Sequence, residues 1–276
     1  MESQALSDRQ LQTIVKLVYD HAGITLHSGK RELIVARLQK RMRQGSFADF
    51  NHYLKHLEDD KSGEELITLL DCISTNHTSF FREEQHFKIL GERVAPWLLS
   101  RPSHTPLRGW CAASSSGEEP YTIAITLLDH LPEAAHARVR LMASDISTRV
   151  LKKASAAVYP LERVSGLPRE MLRKHFERGC GSQEGQARVK AATRKLVEFR
   201  RINLLEGSRF EAPFEFIFCR NVMIYFDKIV QQRVVSMLEK NLAPGGWLFI
   251  AHSESLNGIE HSLQNVAPAV FRKKDS

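Results

Sequence analysis

LRGWCAA (107–113) runs into SSSGEEPY (114–121), and the reading of these residues decides the fold. The first stretch is a short, mostly apolar run, the pattern of a buried parallel strand. The second holds the turn formers Ser and Gly and then Pro120, which suits the first turn of a helix running to Leu131. The same order recurs downstream. VRLMAS (139–144) is a second strand that ends at Asp145, with a helix over 147–157 behind it. FEFIFC (214–219) is a third, followed by Arg220, Asn221 and a helix near 228–242. LAPGG (242–246) then turns the chain into WLFIAH (247–252), a fourth strand. Strands alternating with helices imply βαβ units and a doubly wound, Rossmann-like parallel sheet, hence an α/β fold. The rhythm breaks at about 175–201, where Gly179, Gly181, Gly185 and the alternation of Lys195–Arg200 predict a small antiparallel β insertion.

The first 90 residues read as short helices instead. Ser7 and Gln10 form a capping-box pattern ahead of Leu11, Ile14, Val15 and Val18, and Gly23 can stop that helix. A second helix covers about 30–43, with Ile34, Leu38 and Met42 on its apolar face and Lys30, Arg37, Lys40 and Arg41 in an arc of about 100° beside it. Ser46 and Ser62 are placed to cap helices over 47–58 and 63–73. The expected organisation is a helical domain over 1–90 and an α/β domain over 91–276, the turn-rich SRPSHTP (100–106) lying just inside the second.

Composition sets the outer bounds. With 276 residues, 42% hydrophobic and 26% charged, the chain has the length of about two globular domains. No apolar run approaches the roughly 18 residues of a membrane span. MESQALSDRQ has neither a basic n-region nor an apolar h-region, so no secretory signal is expected. Cys72, Cys111, Cys180 and Cys219 lie far apart, which predicts reduced thiols in a cytoplasm and no metal site. Of the net charge of +7, residues 1–90 contribute −1, whereas 163–201 alone holds 11 basic and 4 acidic residues. A protein gripping phosphates along a groove would spread its cations more widely. The excess reads as one basic surface, facing either solvent or an acidic partner.

Ligands of open α/β sheets sit at the carboxyl ends of the strands. A dinucleotide loop there would read G-x-G-x-x-G, without carboxylates facing a pyrophosphate. SSSGEEPY has one glycine and two glutamates, so it repels phosphate and suits an ammonium group such as that of S-adenosylmethionine (SAM). Asp145, 28 residues beyond Gly117, can accept both ribose hydroxyls, or cap the following helix. Asn203 and Leu204 offer an amide and an apolar wall to an adenine.

Five runs carry a family resemblance: TNHTSFFRE (75–83), SSGEEPYTIA (115–124), ASDI (143–146), FCRNVMIYFD (218–227), and LAPGG (242–246) with AHSE (251–254). From about residue 6 to residue 272 the chain resembles the chemotaxis receptor glutamate O-methyltransferases, the CheR family. The resemblance implies a class I SAM-dependent methyltransferase domain behind an all-helical domain, with a β-subdomain inserted. It implies that Asn76, Thr78 and Arg82 close over the cofactor, and that Glu119, with Glu118 the alternative, holds its methionine part. Asp145 would take the ribose, Asn203 and Leu204 the adenine, and Arg220, Asn221 and Tyr225 the cofactor and substrate side. Arg82 and Tyr225 are the implied catalytic residues. His77 departs from the family pattern. Gly179, Gly181 and Gly185 resemble the loop of members that capture a receptor tail peptide. The basic helix would lie along acidic receptor helices, and the protein is expected to be monomeric.

No nucleophile-and-base arrangement is needed for this chemistry, because a glutamate with a pKa of about 4.3 is already ionised at neutral pH. Two rivals are weaker on the residues. A nucleic-acid methyltransferase would carry an N-P-P-Y-type loop and an aromatic-rich basic groove, but RNVMIY (220–225) lacks both prolines. A scaffold that only senses SAM would not need Arg82, Glu119, Asp145 and Tyr225 together.

Overall fold

The structure is a computed structural model, and it describes residues 6–26, 31–74, 76–207 and 210–275. Among the described residues the first elements are four helices: α1 (Asp8–Ala22), α2 (Arg31–Gln44), α3 (Phe50–Asp59) and α4 (Glu64–Ile73). The capping box at Ser7 and Gln10 is formed, and Gly23 ends α1 at φ 67°, a conformation glycine reaches without steric cost. Ile14, Val18, Ile34, Leu38, Tyr53 and Leu69 close a core of their own. The expected caps shift. Ser46 sits at φ 55° before the start of α3, and Asp49 caps that helix by accepting the His52 N–H at 2.8 Å. Ahead of α4, Ser62 accepts the Glu64 N–H at 3.2 Å, while Asp60 takes that of Glu65 at 2.7 Å.

A boundary near 90 would cut a continuous helical run, Gln85–Ile89, Leu90–Val94 and Ala95–Leu99. Its middle turn is π-helical just before Pro96, which has no N–H to give the regular ladder. Phe87, Leu90, Val94, Ala95 and Leu98 all bury themselves in the core of the main sheet. The run therefore packs with the α/β part, and the helical core ends with α4 at Ile73.

Among the described residues ten strands follow: β1 (Leu107–Cys111), β2 (Val139–Asp145), β3 (Val158–Pro160), β4 (Phe176–Arg178), β5 (Gln186–Val189), β6 (Val197–Arg201), β7 (Phe214–Phe218), β8 (Leu242–Phe249), β9 (Gln264–Ala267) and β10 (Val270–Arg272). Seven form one sheet in the order β6-β2-β1-β7-β8-β10-β9. The pairs from β6 to β8 are parallel, while β10 lies antiparallel to β8 and β9. The chain winds from β1 towards β6 and later from β7 the other way, so the switch point lies between β1 and β7. Helix Glu118–His130 packs Ile123, Ala124 and Leu127 on one face, and helix Lys228–Asn241 packs Val234, Val235 and Leu238 on the other. LAPGG does not turn out of the sheet: an irregularity between Phe214 and Phe216 lets β8 start at Leu242.

The insertion differs from the expected 175–201. The second sheet has the order β3-β5-β4 and spans 158–189. VEFRR (197–201) is instead the edge strand β6, parallel to β2 with Leu141 opposite Val197 and Asp145 opposite Arg201. An edge strand with one face packed and one in solvent alternates as an antiparallel strand does. The three-residue strands β3 and β4 are too short to show a period.

Candidate active site

The carboxyl ends of β1, β2 and β7 open into a cavity between the sheet and the helical domain. Asn76, Thr78, Arg82, Glu119, Asp145, Asn203, Leu204, Arg220, Asn221 and Tyr225 all line it. Its remaining wall is largely apolar and includes Ile24, Ile34, Ile146, Ile202 and Val222.

Asp145 ends β2 as a buried residue, 8% exposed. One oxygen accepts the Ser115 N–H and the other the Ser147 N–H, both at 2.9 Å, so each keeps a lone pair for a further donor. Burial pushes this carboxyl above its ordinary value, with those backbone donors pulling against it. Ser147, rather than Asp145, caps the next helix by accepting the Val150 N–H at 3.2 Å. The two glutamates separate clearly. Glu119 lines the cavity, whereas Glu118 is 1% exposed, accepts the Ser116 hydroxyl at 2.7 Å and lies off the cavity wall.

Arg220 is spent on this wall rather than free within it. Its guanidinium donates to Glu119 at 2.6 Å, to the Arg82 carbonyl at 2.6 Å and to Glu83 at 3.0 Å, and it lies over the Phe87 ring at 5.5 Å. One side chain thus ties the β1 loop to the segment joining the two domains. Burial pushes the Glu83 carboxyl up, but the adjacent Arg220 outweighs it and the group sits below its ordinary value. Arg82 donates to the His77 carbonyl at 3.1 Å, and among the described residues it forms no ion pair. Asn76 donates to Ser74 at 3.1 Å, and its carbonyl accepts the Ser115 hydroxyl at 3.0 Å.

Two carboxylates of this neighbourhood were given no role by sequence reasoning. Glu83 ends the 75–83 run and Glu254 the 251–254 run, yet Arg220 and the 221–224 backbone that they hold lie far off in sequence. Glu83, His86 and His252 also bring three potential metal-ligand atoms within 4.8 Å of one another. The Arg220 guanidinium already holds the same Glu83 oxygen, so a divalent cation there would face a like charge. Burial keeps His86 neutral, its pKa held down to about 4.

The helical domain is latched to the site at several points. Ile24 pairs with Phe226 as an antiparallel bridge, and the Thr25 N–H donates to the Tyr225 carbonyl at 2.8 Å. Tyr19 donates to Asp227 at 2.6 Å, and the Asn203 amide donates to the His21 carbonyl at 2.6 Å. The predicted basic stripe is divided. Arg37 turns to the Ile73 and Ser74 carbonyls and lines the cavity. Arg41 forks onto Glu65, whose side chain is buried. Lys40 is exposed, and Lys30 lies outside the described residues. Gly179, Gly181 and Gly185 form the β4–β5 turn, outside the cavity lining; Gly181 and Gly185 take φ of 57° and 82°, which glycine accommodates best.

A doubly wound sheet with carboxylates at its switch point, in place of a phosphate-binding glycine loop, defines a class I SAM-dependent methyltransferase. Glu119, Asp145, Asn203 and Leu204 line one cavity at the carboxyl ends of the strands, with the Asn203 amide turned to the His21 carbonyl and Glu206. The chain belongs to the CheR methyltransferase family. The family's SAM binding domain matches residues 76–271 and its all-alpha domain residues 9–74. A chemotaxis protein methyltransferase of Salmonella typhimurium is 42% identical over 256 residues, covering 92% of this chain and 86% of that one. One of Escherichia coli K12 is 40% identical, with 94% and 88% covered. Chemotaxis protein methyltransferase 2 of Pseudomonas aeruginosa is 41% identical, with 94% and 91% covered. Among the described residues no helix is long and apolar enough to cross a membrane.

Replacing Asp145 by alanine is expected to weaken SAM binding. Charge-assisted hydrogen bonds are worth about 1.5–3 kcal/mol, which is a rise of about 10- to 150-fold in Kd. Calorimetric titration measures it, and unchanged affinity would remove Asp145 from the site.

Proposed function

We propose that this chain transfers the methyl group of SAM to glutamate side chains of chemoreceptors, giving glutamate methyl esters and S-adenosylhomocysteine. The observation that carries the reading is the single cavity in which Glu119, Asp145, Arg82 and Tyr225 converge. The relatives' names, chemotaxis protein methyltransferase, point to the same substrate class.

SAM supplies an electrophilic methyl group on a sulfonium. The glutamate oxygen forms the new bond to that carbon, the sulfur–carbon bond breaks, and its electron pair stays on sulfur. The ionised nucleophile needs no general base, so the protein's task is alignment, exclusion of water and balance of charge. Glu119, held by Arg220, and Asp145, held by two backbone N–H groups, bind and orient the cofactor. Arg82 orients the attacking carboxylate, with Tyr225 beside it. The carboxylate must not be gripped more tightly before the reaction than during it, and the exposure of Arg82 to the cavity suits that loose hold.

The finer partners belong to this proposal. Exposed Lys40 gives α2 a cation to set against acidic receptor helices, while Arg37 and Arg41 hold the helix in place. A receptor tail would add as a strand to an edge of the β3-β5-β4 sheet, near the Gly179–Gly185 turn. A monomer working in the cytoplasm completes the reading. Labelled SAM incubated separately with receptor, RNA and buffer tests it: base-labile, volatile label should appear only with receptor. Association should weaken as salt rises, since exposed charges more than about 8–10 Å apart are screened at 0.1–0.15 M. Label in RNA, or no label on receptor, would sink the proposal.

A further inference from the structure

Glu254 follows β8 and lies outside the cavity lining, yet it gathers the backbone of the loop that forms one cavity wall. One of its oxygens accepts the N–H groups of Val222 at 3.0 Å, Met223 at 2.8 Å and Ile224 at 3.3 Å. The other accepts those of Asn221 at 3.1 Å and Ala251 at 2.8 Å. Five donors from two chain segments therefore converge on one carboxylate. Asn221 takes φ 56°, a left-handed conformation uncommon outside glycine, which turns successive N–H groups toward one point. Such a concavity requires an anion, and Glu254 is built into it.

We infer that Glu254 is a positioning residue for methyl transfer. Its charge folds the Asn221–Ile224 turn into the shape that delivers Asn221, Val222 and Tyr225 to the cavity. It reaches the reacting atoms only through that loop. The inference rests on Tyr225 standing at the transfer site, as proposed above. The requirement is for a carboxylate, not for a side chain of that size. In Glu254→Gln the shape is kept, but the amide nitrogen must face either three N–H donors or two, and it can accept from none.

The experiment compares Glu254→Gln and Glu254→Ala with the wild type, measuring kcat and KM for SAM with and without added formate. For Glu254→Gln, kcat should fall about 10- to 100-fold, as expected of a misplacement near 1 Å, with KM for SAM within about threefold. Formate should restore part of the kcat of Glu254→Ala by refilling the concavity, and do nothing for Arg82→Ala. Wild-type kcat in Glu254→Gln would overturn the inference. So would a loss in Glu254→Ala that formate does not touch, or loss of folding in both variants by circular dichroism. A wild type that labels no receptor would instead overturn the receptor reading, which is a separate failure.

Discussion

Replacing Arg220 by methionine is expected to destabilise the protein by about 3–5 kcal/mol, the cost of breaking a buried ion pair from one side. The side chain is fully buried and serves Glu119, Glu83 and the Arg82 carbonyl at once. Methionine fills much of the volume but leaves two carboxylates and a carbonyl without their donor. For a chain of this size each kcal/mol moves Tm by about 2–4 °C, so a fall of roughly 10 °C is expected by calorimetry. SAM affinity should fall with it, because Glu119 loses the partner that fixes its orientation. Lysine restores the charge but not the fork, so Arg220→Lys should recover only part of either quantity. A Tm drop below about 2 °C with unaltered SAM binding would show that Arg220 is not the clamp described.

Replacing Arg82 by alanine should do the opposite: little to the fold, and most of its damage to turnover. Among the described residues the side chain makes one hydrogen bond, to the His77 carbonyl, and it is only partly buried. Removing a preorganised charged donor from a reacting group costs about 10²- to 10³-fold in kcat. The expected result is a loss of that order, with Tm within about 2 °C of the wild type. Release of base-labile methyl label from receptor reads it, and separating kcat from KM shows whether Arg82 serves the attacking carboxylate or the cofactor. Near-normal turnover would remove it from the proposed mechanism.

Much of the site was legible because the signals were local. The acidic SSSGEEPY loop, Asp145 at the end of β2, and the RNVMIY run after β7 are each read from a few neighbouring residues and from where a strand stops. Glu119 is preferred in sequence only with Glu118 as the alternative, because both begin one helix; the packed structure puts Glu119 on the cavity wall and Glu118 off it. Arg37 and Arg41 share a helical arc with Lys40. Periodicity gives that arc but not the Ile73 carbonyl or Glu65, which hold two of its members.

The residues by themselves determined the α/β class, the helical domain ahead of it, the carboxylates at the strand ends and the family resemblance. These follow from periods of 2 and 3.6 residues, from turn chemistry and from contiguous runs. The tertiary structure alone decided that Arg220 is bonded to Glu119, that Glu254 holds the 221–224 turn, and that Asn203 meets His21. It also moved VEFRR from the insertion into the main sheet. The physical reason is common to all four. Each pairing joins segments that are remote in sequence, and a backbone group or charge finds its partner only once the sheet order and the docking of the helical domain bring them together.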